Sequence, residues 1–374
     1  MARTGYIKKV FPGGNTSQGF KSFYDYIIQP DATRIFVLKG GPGVGKSSFM
    51  RKIATELVDL GFDVEFMCCS SDNGSLDGVV IPALDVAMID GTAPHIVDPK
   101  NPGAVDEIIH LGDYWDLDGM VRNKEPIMRL NREVGRLFRR AYGYLASANI
   151  YLRQIESYYQ ETGALDVGGL NRLTMDLIAQ IFGAGPTGNK RPYERHLFAT
   201  AITPDGPVNY LESIVGRLNR RYIINGDDGT GKTTLVQRVA EAATLNGYDT
   251  EVYHCALDPD RVDHLVIPGL SVALINGVEP HYYQAQANDV VIDTGDFVDK
   301  YIDLSLQEER EVARDMYRKS FDIAVRFINR AKQTHDEMEK YYVPNMNFAA
   351  IEKRRLEVRD RVLALAKTRA VAED

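Results

Sequence analysis

Laid on itself with an offset of 186 residues, the chain matches its own second half without a gap from Arg34/Arg220 to His95/His281, and 22 of the 62 facing pairs are identical. Unrelated segments would share only a handful, so the chain is an internal duplication and its fold must be one unit made twice. This register lays Gly40 on Gly226, residues 61–72 on 247–258, and "VVIPALDVAMIDGTAPH" on "LVIPGLSVALINGVEPH". After a three-residue gap "LGDYWD" (111–116) faces "TGDFVD" (294–299), and upstream Tyr24 meets Tyr210.

Each copy reads as an approach strand and short helix, a buried strand, a glycine loop, a helix and further apolar strands. Strands such as "RIFVLKG", "DVEFMCC" and "VAMIDG" with helices between them predict an α/β fold, a parallel sheet covered on both faces. With 374 residues and 44% hydrophobic content there is material for two such cores. Residues 122–159 and 305–342 then turn charged, with no proline except Pro126. In the first copy Val134, Leu137, Phe138, Ala141, Tyr144, Leu145, Ala148, Tyr151 and Ile155 fall at helical spacing. These stretches predict helical arms of roughly 50 Å at 1.5 Å per residue. The expected organisation is a first domain with its arm at 1–161, a linker at 162–194 with one short helix, and a second domain with its arm at 195–374. The last helix, 347–371, has no counterpart visible in the first copy.

Composition narrows the function classes. The 44 basic and 52 acidic residues leave a net charge of -8, which disfavours nucleic acid as a partner along the whole surface. "MARTGYIKK" lacks the apolar stretch of a signal peptide, and the most apolar run is broken by Pro82 and Asp85, so a cytoplasmic protein without a membrane partner is expected. Cys68, Cys69 and Cys255 form neither a disulfide framework nor a zinc site.

The chemistry is concentrated in the loops. Gly40, Gly41, Gly43, Val44, Gly45, Lys46, Ser47 and Ser48 spell G-x4-G-K-S, and Gly226, Asp228, Gly229, Thr230, Gly231, Lys232, Thr233 and Thr234 spell it again with threonine. Glycines let successive amides turn toward phosphate oxygens, and the helix that follows presents its positive end. Lys46 and Lys232 are expected to reach the β- and γ-phosphates, and the hydroxyls of Ser47 and Thr233 to ligate Mg²⁺.

With these loops in these strand contexts, the chain resembles the P-loop NTPase superfamily. More narrowly, through "GGPGVGKSS", "SSDNGSLDGVVIP", "DGTAPHIVDPKNPGAVDEI" and "LGDYWD", it is similar to a bacterial family of tandem, duplicated P-loop ATPases with no known substrate. The resemblance implies two P-loop NTPase domains and the use of ATP. No guanine-reading "NKxD" motif follows either loop.

A P-loop site also needs an acid at the end of a neighbouring strand to hold the metal. "VAMID" ends in Asp90 where its twin ends in Asn276, and "VVID" ends in Asp293 where its twin ends in His110. Asp90 is the expected metal ligand of the first site, with Asp293 the candidate replacement in the second. The copies are therefore expected to be unequal, the first hydrolysing and the second mainly binding. Asp113 and its twin Asp296 are candidates for orienting an attacking water or reaching the metal shell, or are turn aspartates. His95 and His281 are candidates for proton transfer or for fixing their loop, and Asp72/Asp258 and Asp77/Asp263 for holding an acceptor substrate or capping helices.

Arg122, Lys124, Arg129, Arg132, Arg136, Arg139 and Arg140 crowd one arm, as an anion grip or as a solvated face crossed by ion pairs. Three functions compete on these residues: an ATP-driven switch acting on a protein or small-molecule partner, a phosphotransferase, and a nucleotide-sensing scaffold. The duplication also permits pairing of copies as in a homo-oligomer.

Overall fold

The computed structural model describes residues 4–93, 96–183 and 191–373. Strands β1 (Ile7–Val10), β2 (Gly13–Thr16), β3 (Gly19–Ser22) and β4 (Arg34–Lys39) precede helix α1 (Lys46–Asp59). Then come β5 (Val64–Cys68), β6 (Leu76–Ile81), β7 (Val86–Asp90) and β8 (Asp106–His110), and helices α2 (Leu117–Arg122), α3 (Lys124–Thr162) and α4 (Val167–Phe182). The second copy repeats the series: β9 (Glu194–Leu197), β10 (Thr200–Thr203), β11 (Gly206–Asn209), α5 (Leu211–Val215), β12 (Arg220–Asn225), α6 (Lys232–Leu245), β13 (Thr250–His254), β14 (Val262–Ile267), β15 (Val272–Asn276) and β16 (Val290–Asp293). Helices α7 (Lys300–Ser305), α8 (Gln307–Tyr342) and α9 (Phe348–Glu373) close the chain.

Two six-stranded sheets result, in the orders β1-β5-β6-β7-β4-β8 and β9-β13-β14-β15-β12-β16. The order is the same in both copies, as duplication requires. The sheets are mostly parallel rather than wholly so, because β6 and β14 run antiparallel to both of their neighbours. Short connections dictate this: β6 turns into β7 through Pro82–Leu84 and Asp85, and a parallel return would need a crossover of a dozen residues or more. β4 lies between β7 and β8 with Phe36, Val37 and Leu38 buried, and β12 lies between β15 and β16 with Tyr222, Ile223 and Ile224 buried. Apolar runs of this kind suit central strands covered on both faces.

The chain groups into two compact units, Met1–Gly13, Ser22–Phe138 and Phe327–Asp374 in unit 1, Gly14–Lys21 and Arg139–Arg326 in unit 2. These units cut across the expected boundaries at 161 and 195. The arms are helical as expected, at 39 residues for α3 and 36 for α8, but each is divided. Residues of α3 up to Phe138 group with the first copy's sheet and the rest with the second, while the end of α8 groups with the first.

The segment 162–194 is not a linker over its described part. Leu177 and Phe182 of α4 join the core cluster of α6, β12 and β14 in unit 2; residues 184–190 lie outside the described residues. Nor is the last helix without a counterpart. α9 packs on α1 in unit 1 as α4 packs on α6 in unit 2, with Arg355 Nη1 bonding Glu56 at 2.8 Å. Matching backbone bonds confirm the equivalence, Asp116 N to Asn345 O in unit 1 and Asp299 N to Ala164 O in unit 2. The duplication therefore extends into α9, past the point where side chains still show it. Among the described residues no helix is long and apolar enough to cross a membrane.

Candidate functional site

Each glycine loop joins the end of a central strand to a helix, β4 to α1 and β12 to α6. Gly45 and Gly231, the residues just before these helices, hold φ at 90° and 93°, a conformation that strains any residue with a Cβ. The loops are therefore set by sequence, and their amides start the helices.

In unit 1 Lys46 crosses its loop, with Nζ donating to Gly40 O at 3.0 Å and Gly41 O at 2.9 Å. Asp90, at the end of the adjacent strand, holds Oδ2 3.6 Å from that nitrogen. Its Oδ1 accepts from the Thr92 amide at 2.9 Å and from the Thr92 hydroxyl, which fixes the carboxylate. Ser47 Oγ accepts from the Leu76 amide at 2.9 Å, Val44 is buried beneath the loop, and Ser48 is exposed. The end of α8 lines the loop, since a Cβ on Gly41 would fall 2.3 Å from the Tyr342 ring and one on Gly43 3.2 Å from Glu339.

In unit 2 Lys232 spans the same positions, bonding Gly226 O at 2.7 Å and Asp227 O at 2.6 Å. Burial lowers its pKa, against the nearby charges of Asp228 and Asp227. Thr233 Oγ accepts not from an amide but from Arg261, at 3.1 Å, and the Arg261 guanidinium pairs with Glu156 of α3. Asp227 is gripped by Arg310 and Arg314 of α8. Thr230 and Thr294 bond each other at 2.6 Å where the first copy has the apolar pair Val44 and Leu111. A Cβ on Gly229 would lie 2.7 Å from the Glu156 backbone. Beside this loop opens a cavity of about 450 Å³, lined by Lys232, Thr233, Thr234, Arg238 and Arg261 with Glu156 and Thr174.

The remaining candidates divide. Asp113 is exposed and pairs with His110 at 2.7 Å, on a turn whose Leu111 and Gly112 lie 3.4 and 3.8 Å from where a Gly40 Cβ would be. Asp293 is also exposed, and its Oδ1 accepts from the Gly295 amide at 2.8 Å, so this carboxylate caps the turn that follows. Asp72 bonds Ser75 Oγ at 2.8 Å and lies 3.7 Å from Lys332, and Asp258 bonds Arg153 at 2.9 Å. Burial pushes the Asp77 carboxyl up to about 7. His95 lies outside the described residues. On the first arm, Arg136 is paired to Glu133 and Arg129, Arg132, Arg139 and Arg140 are exposed, a solvated face.

His281 is buried, with Nδ1 2.9 Å from Thr200 Oγ1 and Nε2 3.1 Å from Asp263. Burial pushes the Asp263 carboxyl up, but His281 together with His264 and Arg261 more than offsets this and holds it well below its usual range. Beside it the ring of His264 accepts the Asn276 amide at 3.1 Å. Burial lowers His264 to about 3 and His254 to about 4. Both rings are therefore neutral when folded, whereas an unfolded chain protonates them near 6.5. Stability present above pH 6.5 is lost as the pH falls toward 4, by up to about 1.4 kcal/mol per pH unit per ring. Urea midpoints measured from pH 7 to pH 4 should fall accordingly, and His264→Gln, which keeps an acceptor, should flatten part of the decline. A midpoint constant over that range would contradict the neutral assignment.

Sequence reasoning missed Arg261, Glu156, Asp227 with its two arginines, and Tyr342. The available signal was disagreement between copies: Arg261 faces Ser75, and Asp227 faces Gly41. Among the described residues no group of three His, Cys, Asp or Glu side chains could by itself hold a metal ion. Compared with protein-family models, with curated proteins and with solved structures, the chain matched none.

Proposed function

We propose that the protein is a P-loop ATPase with two nucleotide sites, that the first hydrolyses Mg·ATP, and that the nucleotide state is relayed to a partner through α3 and α8. The observation that carries the reading is the constellation in unit 1: a loop of amides at a helix start, Lys46 across it, and Asp90 at the next strand end, 3.6 Å from the ammonium. Amides and a helix N-terminus favour phosphate, and a lysine on a flexible stem can exchange carbonyl for phosphate oxygens.

The residues of the first site fit Mg²⁺, a hard cation that keeps several waters and needs only one or two protein oxygens beside those of phosphate. Ser47 Oγ and the Oδ2 of Asp90 would hold it. When bound, the ion would polarise the phosphate oxygens and neutralise charge that develops on them. Lys46 adds its own charge at the γ-phosphate, and the Asp113–His110 pair, on the turn beside Gly40, is suited to orient a water. α3 and α8 each begin in one unit and end in the other, which suits a relay.

A phosphotransferase draws little support from three of the candidate acceptor acids, since Asp72, Asp258 and Asp263 are engaged by Ser75 and Lys332, by Arg153 and by His281. Phosphate release from Mg·ATP, run beside transfer to a panel of hydroxyl acceptors, tests the reading. Release without any acceptor is expected. Transfer that outruns release would replace this reading by a kinase, and a protein that binds no nucleotide would refute both.

A further inference from the structure

Position for position, the second loop departs from the first where a divalent cation would sit. Asn276 stands at the strand end that Asp90 takes in the first copy, and it is buried against the His264 ring. Asp293, the other acid at a strand end, is exposed and used as a cap. The hydroxyl of Thr233, twin of the proposed ligand Ser47, accepts from the charged Arg261 guanidinium at 3.1 Å, where Ser47 accepts from the neutral Leu76 amide at 2.9 Å. A guanidinium donates only, stays charged and repels a neighbouring cation, so the donor set of the second loop does not fit Mg²⁺.

What this loop does fit is anionic oxygen. Lys232, Arg238 and Arg261 line the cavity beside Glu156, and Asp228 is the remaining loop acid near Lys232. The other loop acid, Asp227, has its carboxylate taken up by Arg310 and Arg314. Glu156 takes one N–H of Arg261 Nη1 and Thr233 takes one of Nη2, so each terminal nitrogen keeps a further N–H for an incoming anionic oxygen. The cavity, at about 450 Å³, lies in the range of small-molecule sites.

We propose that the second loop binds the phosphates of a nucleotide without a metal ion, the Arg261 guanidinium supplying the positive charge that Mg²⁺ supplies at the first. This rests on the reading of that loop as a nucleotide site. A nucleotide held in this way lacks the ion that assists cleavage, so it is retained as a bound ligand rather than turned over.

The test uses full-length Lys46→Ala protein, in which the first loop is disabled, and measures equilibrium binding of ATP and of ADP in Mg²⁺ and in excess EDTA. Affinities equal within about threefold in the two media are expected. A loss of tenfold or more in EDTA, roughly 1.4 kcal/mol, would overturn the inference and leave the nucleotide reading standing. No binding in either medium would overturn both. Arg261→Ser, which installs the first copy's residue, should weaken binding in EDTA by about tenfold or more, with Arg261→Lys recovering part of it. If both variants melt like their parent and bind like it, the guanidinium has no part and the proposal fails.

Discussion

Lys46→Ala should lower ATP turnover on the order of 10²–10³-fold, the cost of removing one fixed charge aimed at a transition state, while Lys232→Ala should change it by less than about threefold. The asymmetry follows from the strand ends. Lys46 lies 3.6 Å from a carboxylate, Asp90, which the proposed reading has share a metal with Ser47; in the second copy the strand end carries Asn276, and Thr233, next to Lys232, is bonded by the Arg261 guanidinium. Asp90→Asn should therefore resemble Lys46→Ala in turnover and depend on Mg²⁺ concentration, because it removes a ligand rather than the phosphate cradle. Steady-state phosphate release by the purified variants, with circular dichroism to verify folding, reads all three. Equal losses from Lys46→Ala and Lys232→Ala would mean that the copies are catalytically alike and that the divergence at Asp90/Asn276 has no chemical weight.

Arg221→Met should destabilise unit 2 by about 3–5 kcal/mol, the range found when one partner of a buried ion pair is removed. Arg221 is buried at the start of β12 and uses its whole head group: Nε bonds Asp289 at 2.6 Å, Nη1 bonds Val215 O at 3.2 Å and Leu218 O at 2.6 Å, and Nη2 bonds Gln286 at 3.2 Å. Both side chains of the ion pair are buried, that of Asp289 completely. Methionine would fill much of the volume but leave the carboxylate and two carbonyls without their donor. The double variant Arg221→Met/Asp289→Leu should recover part of the loss, since the cost lies mainly in the orphaned charge. Urea unfolding of the three proteins measures it, and a loss below about 1 kcal/mol for the single variant would show that Asp289 finds water or another partner.

How much of this was legible in the sequence depended on the range of the interaction. The glycine loops, their lysines and the strands before them are local patterns repeated twice, and they stand where the repeat put them. Asp90 was legible because the residue at the end of "VAMID" can only emerge at the strand's carboxyl end. The antiparallel turns of β6 and β14 were missed because buried strands read as equally apolar in either direction; only the brevity of the turn at Pro82 could have told them apart. The equivalence of α4 and α9 escaped because helix surfaces tolerate substitution, so identity decayed while the packing of each on α6 or α1 did not. Arg261 and Glu156 lie 105 residues apart, and nothing local announces that they meet at Thr233. Asp293 shows why a strand-end acid is ambiguous in sequence: a carboxylate before "TGD" serves the next turn's amide, as it does here, as readily as a metal.

The division of the two long helices has a consequence for ancestry. A half-length forebear carrying the same helix could have brought a Tyr342-like ring onto its glycine loop only by trading that helix with a second molecule, the arrangement known as domain swapping. Fusion of two such genes would have converted that exchange into an intramolecular one at a high and fixed effective concentration. In a single chain, each glycine loop is lined by the arm of the other sequence copy, Tyr342 at Gly41 and Glu156 at Gly229, and the two loops can differ in chemistry without either losing that lining.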